Sequence, residues 1–358
     1  MQKIVVRALA AAILALPTSA WAAPTPTELM SRTIDAQGAI PFWGKRVQLL
    51  TRQHLNLRAE MKVFVQDAKN YRVTVQAPDT LAGVHLWMKE NKVNVYFPME
   101  SLLFRNDNPT GSNEAATTIF GQLAAPQLLA KNYDLKILEG SDDLNDIVAL
   151  TPCYILEALP KRGYSVPGHR FWISRDTYQV LKEERSWSNG GTPYFTSFYE
   201  DYIPSKQVDI DVKDLPAKLS TVALQKDKDN SFVEYKTVEA AEAAIRSKVP
   251  LPRYMPNGFQ LHGIQFANFF GTRITQLHYT DGLNWMFVSY RPKPNMFLTL
   301  MAGAFALSLV DKLGALSYQA PYNYAGTEKN GQLLYSYGDL YPNDLNRVLE
   351  SIDLPTVN

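Results

Sequence analysis

Apolar and polar positions alternate strictly over the stretch that follows residue 46. Leu57, Ala59, Met61, Val63 and Val65 take turns with Arg58, Glu60, Lys62 and Phe64, a spacing that arises only where successive side chains point to opposite sides. A strand is predicted there. Tyr71, Val73 and Val75 alternate in the same way with Arg72, Thr74 and Gln76, up to Pro78, which has no N–H to give a ladder. A third run holds Val84, Leu86 and Met88, and the polar Lys89-Glu90-Asn91-Lys92 turn reverses it into Val93, Val95 and Phe97. An earlier strand over 46–51 places Val47 and Leu49 on one face. No crossover helix fits between these runs, so the sheet is antiparallel. Its apolar face needs a cover, made of helices or of something that is not protein.

The remaining pattern predicts an α+β fold. Thr27 is placed to cap a short helix through Glu28, Leu29, Met30 and Ile34, before Gly38, Pro41 and Gly44 break the chain. Past a loop over 106–113, two helices are predicted over 114–123 and 126–133, where they interrupt the strands rather than alternate with them. Strands follow over 135–138, 147–159, 170–174, 178–187 and 195–203, with Arg175-Asp176-Thr177 as a turn. The next segment is rich in Lys213, Asp214, Pro216, Lys218, Lys226, Asp227, Lys228 and Asp229 and poor in large apolar residues. It is assigned as a linker over 213–232, open to proteolysis, between a large domain over 23–212 and a small one over 233–358. The small domain opens with a helix over 237–248, carrying Val238, Ala241, Ala244 and Ile245 on one side. Strands over 259–266, 273–280, 284–290, 315–319 and 332–337 lead to a last helix over 343–352.

The first residues change the picture of where the chain works. Lys3 and Arg7 precede an apolar run and then Ala20-Trp21-Ala22, the features of a signal peptide over 1–22 with cleavage after Ala22. A mature protein soluble in the periplasm or outside the cell is expected, and the periplasm is taken as its location. Cys153 is the one cysteine, so no lipid-anchoring cysteine stands at the cleavage site and no internal disulfide is available. It sits in a strand-like run and is expected to be a buried, inert thiol. With 46% apolar and 20% charged residues among 358, the chain is long enough for two domains and a sizeable core. Loss of Lys3 and Arg7 brings its 36 basic and 35 acidic residues into near balance, which gives nucleic acid no electrostatic hold.

The motifs of common chemistry are absent: no G-x-S-x-G, H-E-x-x-H, P-loop or dinucleotide fingerprint occurs. His54, His85, His169, His262 and His278 are scattered singly, without the spacing of a metal site. His278 and Asp281 flank a turn, yet Asp281-Gly282 is explained as a hairpin. No enzyme, cofactor or metal is expected. The uncharged run over 296–310 would make a helix of about 22 Å, too short for a hydrocarbon core of about 30 Å. It is open to two explanations, a buried element of the small domain or an apolar patch for a partner or a membrane surface.

The order of these features resembles a known family. The signal peptide, short helix, long meander, covering helices and the strand pair around Phe171-Trp172-Ile173-Ser174-Arg175-Asp176-Thr177-Tyr178-Gln179-Val180-Leu181 are similar to the LolA/LolB-like lipoprotein carriers. Tyr254-Met255-Pro256-Asn257-Gly258-Phe259 and His278-Tyr279-Thr280-Asp281-Gly282-Leu283 resemble the signatures of the small C-terminal domain in the RseB/MucB relatives of those carriers. The resemblance implies a LolA-like antiparallel half-barrel covered by helices, whose concave side admits acyl chains of lipid or lipoprotein. It also implies a small α+β domain that helps hold the periplasmic segment of an anti-sigma factor. On it, Val47, Leu49, Met61, Val63, Tyr71, Val73, Val75, Leu86, Val93 and Val95 are the expected ligand-facing residues. A non-enzymatic regulator of the RseB/MucB kind is the first expectation, and a lipid or lipoprotein carrier of the LolA/LolB kind the alternative.

Overall fold

The computed structural model describes residues 24–52, 55–90, 92–106, 126–138, 146–161, 165–188, 191–213, 215–224, 231–256, 258–269, 272–293 and 323–355. The expected signal peptide, the helix over 114–123, the uncharged run over 296–310 and the strand over 315–319 lie outside them.

Six consecutive strands form the meander: β1 (Phe42–Arg52), β2 (Leu55–Asp67), β3 (Asn70–Ala77), β4 (His85–Lys89), β5 (Lys92–Phe97) and β6 (Leu102–Asn106). Its turns are fixed locally. Between β2 and β3, Asp67 Oδ1 accepts from the Lys69 backbone N–H at 2.7 Å and from the Asn70 side chain at 3.0 Å, an Asx turn that reverses the chain. A second run holds β7 (Tyr133–Leu138), β8 (Ile147–Val148), β9 (Thr151–Pro160), β10 (Gly168–Ser174), β11 (Val180–Ser186) and β12 (Phe195–Pro204). Because β12 pairs with β1, both runs join in one 13-stranded sheet ordered β13-β6-β5-β4-β3-β2-β1-β12-β11-β10-β9-β7, with β8 paired to β9. The added strand β13 (Ser220–Leu224) lies parallel to β6, while the other pairings among the described residues are antiparallel. The two ends of the order do not meet, so the sheet is open.

The small sheet is built from β14 (Ser231–Tyr235), β15 (Gln260–Phe269), β16 (Thr272–Thr280), β17 (Trp285–Pro292), β18 (Asn323–Lys329) and β19 (Gln332–Gly338), in the order β14-β15-β16-β17-β19-β18. The segment assigned from its composition as a linker thus gives β13 to the large sheet and the start of β14 to the small one. Strand β18 was not foreseen, since Gly326, Thr327, Glu328 and Lys329 give it no apolar stripe. The Asn330-Gly331 pair that turns it into β19, with φ of 53° and 74°, is the tight-hairpin signal.

The α-helices among the described residues are α1 (Pro26–Ala36), α2 (Pro126–Asn132), α3 (Val238–Ile245) and α4 (Pro342–Glu350). Thr25, not Thr27, caps α1. Its hydroxyl accepts from the Glu28 N–H at 3.2 Å and the Glu28 carboxylate accepts from the Thr25 N–H at 2.8 Å, a reciprocal box that Pro26 favours at the first helical position. Thr27 lies inside the helix. None of the helices among the described residues is long and apolar enough to cross a membrane.

Three apolar clusters are found among the described residues. One joins Leu29 and Met30 of α1, Leu129 of α2 and Leu156, Phe171 and Ile173 of the large sheet to Ile264, Leu277, Met286 and Val288 of the small sheet and Leu345, Val348 and Leu349 of α4. The two sheets therefore share a core. The second gathers Phe42, Val63, Val65, Tyr71, Val73 and Met88 with Cys153, Ile155, Trp172, Leu181, Tyr199 and Tyr202. The third, at the β4–β6 side, holds Val75, Leu81, Val84, Val95, Phe97, Leu102 and Phe104.

Candidate functional site

Directly opposite residues of an antiparallel pair put their side chains on the same face. Met61 stands opposite Val75, Val63 opposite Val73 and Val65 opposite Tyr71. Val73 in turn faces Leu86, Leu86 faces Val95, and Met88 faces Val93. Met61, Val63, Tyr71, Val73, Val75, Leu86, Val93 and Val95 thus share one apolar face of β2–β5. Period and register agree here because each strand carries its apolar set without a slip at these positions.

Val47 and Leu49 do not belong to it. Arg46 pairs with Met61 and Gln48 with Ala59, whereas Val47 pairs with Glu60 and Leu49 with Arg58. Both expected residues therefore point to the other side of the sheet, where Lys45 and Arg58 bridge Glu60 and Glu200 at 2.7–3.1 Å. Leu49 and Leu50 are both apolar, so β1 has no clean alternation, and only its partners decide which is inward. The inward position Arg46 is a buried cation that the apolar pattern passed over. Its Nε donates to Ser197 Oγ at 2.7 Å and its guanidinium lies 6.0 Å from the Tyr199 ring centre.

The face is packed unevenly. Val63, Tyr71, Val73, Val75 and Val95 are buried, while Met61, Leu86 and Val93 are only half-buried. Met61 and Leu86 touch both the second and the third cluster and so mark the seam between them. This seam is the apolar surface on which an extended hydrocarbon could lie. Cys153 borders the second cluster, and burial pushes its thiol up to about 12, so it stays neutral and inert.

A polar site that the sequence did not single out lies where the sheets meet. On β10 and β11, His169 stands opposite Arg185 and Phe171 opposite Glu183, all turned to the small sheet. Arg185 donates to Glu183 Oε1 and to Asp339 Oδ2, each at 2.7 Å, and Tyr194 also donates to Asp339. Burial opposes the charge of Glu183, but Arg185 and His169 outweigh it and hold this carboxyl well below the usual carboxylate range. Burial pushes Asp339 upward, against the pull of Arg185 and Tyr194. The ring of Trp187 stacks on Tyr194 at 5.1 Å and on Tyr341 at 4.4 Å, closing the rim. Asn132 of α2 donates to the carbonyls of Gly258 and Asp281, at 3.1 and 2.8 Å. The expected hairpin at Asp281-Gly282 is present, and the Asp281 carboxylate serves it together with Tyr133, while His278 pairs with Gln276 at 2.9 Å.

A cleft of about 320 Å³ beside β10 is lined by Glu157, His169, Arg170, Glu184, Ser186 and Thr192, and Arg170 already pairs with Glu157 and Glu184. Among the described residues, no cluster of 3 or more His, Cys, Asp or Glu side chains is placed to hold a metal ion.

No protein-family model matches the sequence, and no curated protein matches it. Solved structures do. The crystal structure of MucB superposes with a TM-score of 0.53 at 14% identity, over 91% of this chain and 97% of that one. MucB in complex with MucA(peri) gives 0.52 at 15% identity, over 93% of this chain and 100% of that one. The Pseudomonas aeruginosa MucA/MucB complex also gives 0.52 at 15% identity, over 93% and 99%. At that identity the likeness shows a shared fold, and the fold is that of MucB across both sheets.

Proposed function

We propose that this chain is a non-enzymatic periplasmic binding protein of the RseB/MucB kind. Its large sheet would act as a LolA-like half-barrel that takes the acyl chain of a lipid or lipoprotein, and its small domain would help hold the periplasmic segment of an anti-sigma factor. The observation that carries the lipid part is the half-buried seam of Met61 and Leu86, with half-buried Val93 on the same face, on an otherwise packed apolar face. The regulatory part is supported by the fold match over the full length of MucB, a protein whose solved complex contains MucA(peri). A simple carrier of the LolA/LolB kind accounts for the large sheet but leaves the small one without a task.

Titration of the mature chain with a fluorescent fatty acid tests the lipid part. Saturable binding is expected, weakened in Met61→Gln. A parent protein that binds no probe sinks it. The regulatory part is tested separately, by titrating the chain with the periplasmic segment of a single-span protein encoded beside it and next to a sigma factor. If no such neighbour exists and lipid co-purifies with the chain, carriage replaces regulation.

A further inference from the structure

The junction between the sheets contains a histidine whose protonation its partners dictate. Asp281 accepts at Oδ1 from the backbone N–H groups of Leu283 and Asn284, at 2.9 and 2.7 Å, and at Oδ2 from the Tyr133 hydroxyl at 2.6 Å. A carboxylate has no proton to give, so the Asn284 side-chain end that lies 3.0 Å from the same Oδ2 must be its NH₂. The other end, Asn284 Oδ1, is then turned to His169 Nε2 at 3.0 Å as an acceptor. On the opposite edge of the ring, Glu183 Oε1 lies 3.0 Å from Nδ1 and also accepts from Arg185 Nε at 2.7 Å. Two acceptors require two donors, so the ring carries a proton on each nitrogen.

The charge count agrees. Asp339 accepts at Oδ2 from Arg185 and at Oδ1 from Tyr194, and both contacts favour its ionised form against its burial. With Asp281, Glu183 and Asp339 as carboxylates and Arg185 as the only other cation of the group among the described residues, an imidazolium at His169 brings the net charge from −2 to −1, and uncompensated buried charge is costly. The groups around the ring are Glu183 and Arg185 of β11, Asn284 and Asp281 of the β16–β17 turn, Tyr133 at the start of β7, Tyr194 before β12 and Asp339 after β19. Phe171 stacks on the ring at 5.6 Å. None of them can replace the second proton.

We infer that protonated His169 latches the small sheet to the large one, and that loss of its second proton releases the latch. A neutral ring aims a lone pair at an oxygen on one side, either at Glu183 in the large sheet or at Asn284 in the turn of the small one. It also leaves Arg185 alone between two carboxylates. The sheets then hold together at low pH and loosen as the pH rises.

Two measurements between about pH 5.5 and about pH 8.5 test this, a range that brackets histidine titration. Ring ¹⁵N shifts of His169, assigned by comparison with His169→Gln, report its protons. Amide exchange over 281–285, corrected for the intrinsic rate, reports the latch. Both ring nitrogens are expected to be protonated at the low end, and protection is expected to fall at least about tenfold as the second proton leaves. In His169→Gln the protection should not depend on pH. A single protonated nitrogen at the low end overturns the inference, as does an equal pH dependence in the variant. Should His169→Gln fail to fold, the parent alone decides: a second proton that leaves without any change in protection also overturns the latch.

Discussion

Arg185 on β11 reaches Asp339, just past β19, at 2.7 Å, and both side chains are buried where the two sheets meet. Strand β11 also places Leu181 in the apolar cluster behind the meander. One strand thus touches both the apolar face and the small sheet. Arg185→Met leaves Asp339 with Tyr194 as its remaining side-chain donor, and removing one partner of a buried pair costs about 3–5 kcal/mol. The urea midpoint should fall accordingly, while the double variant Arg185→Met/Asp339→Leu should recover much of the loss. A single variant as stable as the parent would show that the pair does not hold the sheets.

Shared packing bears on proteolysis. The charged stretch over 226–230 remains the expected first site of nicking. Because Leu156 and Phe171 pack in one cluster with Leu277, Met286 and Leu345, the two fragments should stay together on a sizing column after the cut. Separation without denaturant would mean that the common core contributes little.

Substitutions on the meander face should divide by burial. Met61 is half-buried, so Met61→Gln should lower stability by less than about 1 kcal/mol while weakening binding of an acyl probe. Val63 is 1% exposed, and Val63→Thr buries a hydroxyl, at a cost of about 1–3 kcal/mol. Val47→Ala is the control: a loss of about 2 kcal/mol is expected, with probe binding unchanged, since Val47 points to the opposite side. Fluorescence titration beside urea unfolding checks all three.

The Cys153 thiol should resist alkylation at pH 8 in the native protein and react when urea exposes it. Its titration is pushed up to about 12 in the folded chain, from an ordinary value near 9.0. The folded state therefore keeps a proton that the unfolded one releases, so this contribution to stability is complete below about pH 9 and is lost as the pH rises toward about 12. Mass spectrometry after timed iodoacetamide treatment reads the difference. Rapid native labelling would place the thiol at the surface.

N-terminal sequencing of exported protein should begin at Ala23, as the Ala20-Trp21-Ala22 site requires. An intact Met1 on a cytoplasmic product would remove the periplasmic role.

The period-two pattern by itself determined strands β2 to β5 and the single face shared by Met61, Val63, Tyr71, Val73, Val75, Leu86, Val93 and Val95, because alternation is a local property of the chain. It also marked the Asp281-Gly282 hairpin, and Asn330-Gly331 could have revealed β18 in the same way. The face of Val47 and Leu49 was not local: β1 carries apolar neighbours at 49 and 50, and pairing with Met61 and Ala59 decided which side points inward. Composition suggested a linker where β13 adds to β6 and β14 begins, since the short runs Thr221-Val222-Ala223-Leu224 and Phe232-Val233 stand among many charged residues. The largest gap was the junction itself. His169, Glu183 and Arg185 lie on adjacent strands, but Asn284 and Asp339 are more than 100 residues further along. No spacing rule connects them, and only the docking of the small sheet on the large one brings these charges close enough to need each other.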